Sequence, residues 1–299
     1  NNFGDDITPL FNVEKNKEIP FFYEQTKVDE DLFVNSTEII QNEIKIDIAG
    51  TVESISKITP DVLQKCYDTF YHPSNMVMVI CGDFVPEEIL KEVKKRLKPK
   101  QNQGEIKRIY EPEENGINKK YNEKVMEVSM PLFAVGYKDE QVHNESIVRK
   151  HIAIEILLNL IIGKSSKLYK ELYEAGIIME EPDKSFEFSK QYAHAIISGQ
   201  TKDPKIVAEK IKETVQNYKE NGIPDEEFER IKKKIYGEYV MEYNQISNIA
   251  RMFLADYMKK INSFDYLEEY KLVTREYAQQ ILKETFKDEN MAVAVIKGE

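Results

Sequence analysis

Four histidines, His72, His143, His151 and His194, are where metal or acid–base chemistry would start in this chain. Two histidines share a metal ion when a helix sets them one turn apart, as H-x-x-E-H and H-E-x-x-H do. No pair here has that spacing, and His143 and His151 stand eight residues apart, off a common turn. His72 precedes Pro73 in a turn and reads as a surface residue. His194 lies in an apolar strand region and reads as a satisfied structural side chain. Cys66 and Cys81 occupy apolar positions and read as reduced core thiols, which fits an intracellular setting. The run Asp225, Glu226, Glu227 complements a helix N-terminus before it suggests a catalytic pair. Gly50 to Ser54 opens a helical turn whose free N–H groups could meet a peptide carbonyl. No G-x-S-x-G, Walker or G-x-G-x-x-G pattern occurs.

The elements that must position any such residues are announced by a repeat. Residues 58–81, ITPDVLQKCYDTFYHPSNMVMVIC, align without a gap with residues 273–296, VTREYAQQILKETFKDENMAVAVI, at a constant offset of 215. Thr59 falls on Thr274, Asn75 on Asn290 and Met76 on Met291. Each copy predicts a Thr-capped amphipathic helix, a short turn and an apolar strand, so a duplicated domain is expected. The second copy reads as a strand from residue 126 (MEVSMPLFAVGYK) and a helix over 144–162 stopped by Gly163. A shorter helix then ends at Gly176, and one or two strands follow in KSFEFSKQYAHAIISGQT. Helix 204–221 ends at Gly222, Pro224 opens the next helix at its N1 position, and more helix is expected over 247–261. Strands and helices in this order predict an α+β layer, with helices on one face of a mainly antiparallel sheet.

Residues 98–124 are polar, with Gly, Pro and Asn, and read as a linker. The expected organisation is therefore residues 1–97, the linker 98–124, and a complete domain over 125–299. The second domain runs about 150 residues from Val125 to Thr274, whereas only 58 precede Thr59, so roughly 90 are expected to be missing from the first. The offset extends backwards: Pro9 falls on Pro224, Glu14 on Glu229 and Lys17 on Lys232. An incomplete first sheet would expose an edge, and a homo-oligomer is a possible outcome.

A formal net charge of −11 argues against nucleic acid as the main partner, because phosphate binding needs a concentrated basic surface. No apolar run reaches the length of about 18 residues needed to span a membrane. The start, NNFGDDITPL, lacks both an initiator Met and the pattern of a signal peptide. A trimmed or processed chain in the cytoplasm is the expectation.

Two pairs of segments carry a resemblance. IDIAGTVESISKIT at 46–59 and FYHPSNMVMVICGD at 70–83 resemble the second half of a catalytic-type domain in the insulinase/pitrilysin zinc peptidases, nearest the bacterial mitochondrial-processing-peptidase-like branch. SSKLYKELYEAGII at 165–178 and GIPDEEFERIKKKIYGE at 222–238 resemble the second, non-catalytic domain of the same proteins. The resemblance implies duplicated metallohydrolase-like (LuxS/MPP-like) domains that close around a peptide, the first copy truncated at its N-terminus. It implies zinc in the parent family, held by H-x-x-E-H on the first helix of domain one and by a distant Glu. This chain has no such motif. Glu14, in VEKNKEI, matches the distant Glu and would be an orphan third zinc ligand, while Pro20 interrupts the helix expected around it. A single ligand cannot hold zinc, so none is expected on this chain alone. Family members also carry an Arg and a Tyr after the central helices, and the matching stretch Leu172 to Met179 has no Arg. The expected function is the substrate-chamber wall and non-catalytic domain of a peptide-processing zinc endopeptidase, inactive by itself. The alternative is a scaffold or peptide-binding subunit beside an active peptidase. Expected partners are accordingly a peptide substrate or a partner peptidase subunit.

Overall fold

The computed structural model describes residues 51–97, 116–140, 147–189 and 192–298. Three helices come first: α1 (Val52–Ser56), α2 (Pro60–Phe70) and α3 (Pro86–Arg96). The strand β1 (Tyr121–Val125) and β2 (Leu132–Asp139) follow, then α4 (Ile147–Ile162) and α5 (Lys167–Glu174). A hairpin of β3 (Asp183–Phe188) and β4 (Ala193–Gln200) leads to α6 (Pro204–Asn221) and α7 (Asp225–Glu242). The chain continues through α8 (Ile246–Met258), α9 (Asp265–Leu272) and α10 (Arg275–Thr285) into β5 (Met291–Lys297).

The five strands form one sheet in the order β1-β5-β2-β4-β3. All pairs are antiparallel except β1 with β5, which run parallel. The strand expected from residue 126 begins only at Leu132, and a separate strand, β1, begins at Tyr121, inside the stretch read as linker. Its sequence, YNEKV, is polar because β1 is an edge strand with no face fully buried. Pro131, which has no N–H to give a ladder, separates the two; its carbonyl accepts from Thr201 N at 3.0 Å. Pro224 is the N-cap of α7 rather than its first residue. Helix α8 stops at Met258, three residues short of the expected end, and Lys260 behind it takes φ 61°.

Helices α2 and α10 share more than sequence. Thr59 accepts from Val62 N and Thr274 from Tyr277 N, and the two C-caps have nearly equal backbone angles (φ −87°, ψ 45° and φ −88°, ψ 52°). Each is followed by a 3₁₀ turn, Pro73–Asn75 and Asp288–Asn290, again 215 residues apart. The correspondence ends at the strand: β5 is paired, whereas Met76 to Cys81 pair with no strand among the described residues.

The core lies between the sheet and the helices. Phe133, Val135 and Tyr137 of β2, Ala195 and Ile197 of β4, and Phe186 and Phe188 of β3 point into it. Against them lies α4, whose Ile152, Ile154, Ile156, Leu157, Leu158 and Ile161 are all fully buried. A helix that is apolar on nearly every side must be covered on every side. Here α7, α9, α10 and β3 supply that cover. Gly163 ends α4 at a close approach, since a Cβ there would stand 2.5 Å from the Asn159 carbonyl oxygen. Gly176 and Gly222 end α5 and α6 with φ of 66° and 81°, a region that favours glycine.

One core group lacks a partner. The Tyr137 hydroxyl is buried without a hydrogen bond, its ring packed against Phe286 at 4.9 Å between centroids. An unmade bond of this kind costs about 1–3 kcal/mol. Tyr137→Phe is therefore expected to leave stability unchanged or raise it by about 1 kcal/mol, whereas Leu157→Ala should cost about 2–5 kcal/mol. Urea unfolding of the two variants checks the contrast.

Candidate functional site

Beyond Arg149 and Lys150 of its first turn, helix α4 is polar along one stripe. His151, Glu155 and Asn159 recur every fourth residue and form a single half-buried polar stripe. A His and a Glu one turn apart is a ligand-like spacing. The partners of these side chains decide what the stripe does. His151 Nδ1 lies 2.7 Å from the Tyr266 hydroxyl on α9, and its Nε2 lies 3.5 Å from Glu155 Oε1. The imidazole is also ringed by Phe186, Phe188 and Tyr266, with centroids 5.3–6.0 Å away. Asn159 gives its Nδ2 hydrogen to the Glu155 carbonyl and accepts from Lys234 Nζ at 3.3 Å. Lys234 in turn pairs with Glu238 at 3.2 Å.

Burial, with Lys259 nearby, pulls the His151 pKa down to about 3, so the ring is neutral. Burial and the neighbouring Glu238 push Glu155 up, to about 7, against the pull of Lys259. Its side chain keeps 40% of its surface open, which leaves the carboxyl reachable from solvent. The stripe thus holds one neutral imidazole with a nitrogen engaged, one carboxyl, and one amide bound to a lysine. That set does not fit zinc, and among the described residues no group of three or more His, Cys, Asp or Glu could hold a metal ion.

Polar contacts on either side of the stripe are structural. Arg149 makes a two-pronged contact with Glu269 of α9, at 2.6 and 3.3 Å. Lys150 pairs with Asp139 at 2.6 Å, and Asp139 also accepts from Thr285 Oγ1 at 3.1 Å, tying α4, β2 and α10 together.

The turn after α5 is the second place where the sequence suggested function. Ile177 N returns to the Leu172 carbonyl at 2.9 Å, and Gly176 permits the reversal. Thr201, fully buried, donates to the Ile177 carbonyl at 2.9 Å, and Lys202 N adds a second bond there. Leu172 and Ile178 are buried, and Tyr173 and Met179 point outward. Where the resemblance implies an Arg and a Tyr, the turn thus presents Tyr173 and Met179 and no Arg.

The remaining sequence candidates take structural positions. His72 is buried, not superficial: it caps the 3₁₀ turn, with Nδ1 3.2 Å from Ser74 N and 2.7 Å from Ser74 Oγ. His194 is buried in β4 and stacks on Tyr192, and burial pulls its pKa down to about 4. Asp225, Glu226 and Glu227 occupy the first turn of α7, where Glu227 pairs with Lys167 at 3.1 Å. Thr51 and Ser54 form a reciprocal capping box on α1. Cys66 and Cys81 are free thiols. Glu14, Pro20, Gly50 and His143 lie outside the described residues.

Residues 57–235 match the family described as the peptidase M16 inactive domain. The chain belongs to the M16 peptidase family. Over 262 residues it is 34% identical to a Bacillus subtilis (strain 168) protein described as an uncharacterized zinc protease, YmfH. The match covers 86% of this chain and 60% of YmfH, so the chain spans less than two thirds of that relative. An M16-like peptidase from Alicyclobacillus acidocaldarius superimposes with a TM-score of 0.80 at 27% identity, covering 96% of this chain and 71% of that one. A protease from Helicobacter pylori shares the fold with a TM-score of 0.73 at 17% identity, covering 84% and 62%. The M16 resemblance of the motifs is therefore correct, and the mixed α+β sheet-and-helix fold is that of M16-like peptidases.

A pH dependence follows from the buried rings. Their folded pKa values lie below the unfolded one, so the unfolded chain binds more protons between about pH 6.5 and 4. Stability is fully present above about pH 6.5 and is lost as the pH falls towards 4. His194 alone accounts for a loss on the order of 2–3 kcal/mol at pH 4. Glu155 has the opposite sign: its raised pKa favours the folded state at low pH, and that advantage fades as the pH rises through about 7. His194→Gln is expected to flatten the acid limb of a melting-temperature profile, and Glu155→Gln to raise the melting temperature more at pH 8 than at pH 5. Parallel profiles for wild type and both variants would contradict this assignment.

Proposed function

We propose that this chain forms the non-catalytic part of a peptide-handling M16 protein and does not cleave peptide bonds by itself. The observation that carries this reading is the match of residues 57–235 to the inactive domain of the family, in a sequence without H-x-x-E-H. The polar stripe of α4 supports it, because its nitrogen and amide groups are spent on Tyr266 and Lys234. In this reading the domain contributes a wall of the chamber that encloses a peptide. The catalytic motif and the zinc belong to residues outside this chain, as the description of YmfH as a zinc protease suggests. Glu14 is the one residue of the sequence assigned to that zinc site, as a third ligand with no function alone.

The proposed organisation is a duplication, with residues 1–97 the C-terminal part of a catalytic-type domain and 125–299 the inactive one. The shared caps and turns of α2 and α10 favour it. The reduced thiols Cys66 and Cys81 favour a cytoplasmic location. A second reading, a scaffold subunit that partners an active peptidase, is favoured by the turn Leu172 to Met179, which has no Arg to assist a reacting peptide.

Zinc content by mass spectrometry and cleavage of a peptide library, with and without chelator, test the proposal on the purified chain. The expected result is substoichiometric zinc and no chelator-sensitive hydrolysis, unchanged by added Zn²⁺. Stoichiometric zinc with chelator-sensitive cleavage would overturn it. Reading the coding sequence upstream of Asn1 separates the two forms: an in-frame H-x-x-E-H favours the chamber wall, and its absence favours the scaffold.

A further inference from the structure

We draw no further inference here: the strongest candidate, the exposed apolar patch of Met76, Val77, Met78 and Ile80 that follows α2, carries nothing, because the repeat matches it to the paired strand β5 and a strand partner for it would restate the duplication already proposed.

Discussion

The need to bury α4 organises the rest of the structure. Ten of its sixteen residues are buried apolar side chains, and no single layer can cover a helix of that kind. The sheet takes one side through Phe133, Phe186 and Ile197, and α7, α9 and α10 close the others. The direction of each surrounding element follows from where α4 needs cover, and the ionic ties at Arg149 and Lys150 fix its rotation.

That constraint also accounts for how the chemistry-bearing side chains of α4 are engaged. In the stripe His151, Glu155, Asn159, the imidazole and the amide are bonded to a tyrosine and a lysine inside the fold, and the Glu155 carboxyl stays partly open to solvent. A buried polar network of this type specifies a unique packing once satisfied and is costly when broken. The family's inactive domain can therefore keep a His and a Glu one turn apart on a helix and still lack a metal site.

Much of this was legible in the sequence, for local reasons. Thr59 and Thr274 marked two helix starts, and Gly163, Gly176 and Gly222 marked three ends, because caps and positive φ are decided within a few residues. Strand β1 was not legible, since an edge strand needs no apolar alternation and YNEKV reads as linker. Helix α9 was also missed, although Tyr266 and Tyr270 at i and i+4 are its signal. The polar stripe is not visible in the spacing of histidines alone; its signal is the recurrence of His151, Glu155 and Asn159 every fourth residue on an apolar helix. His72 read as superficial because a His-Pro turn is usually wet, and its burial depends on tertiary packing that sequence spacing does not encode.

The most direct test of this account is native-state hydrogen exchange resolved to single amides. The amides of α4 and β2 should exchange only through global unfolding, with equal free energies that fall together in Leu157→Ala. Those of α8 from Ile246 to Leu254 should open separately and far more readily, since Asp256 and Lys259 fasten only the far end of that helix. Exchange of α8 in step with α4, or local opening of α4 well below the global free energy, would contradict the account.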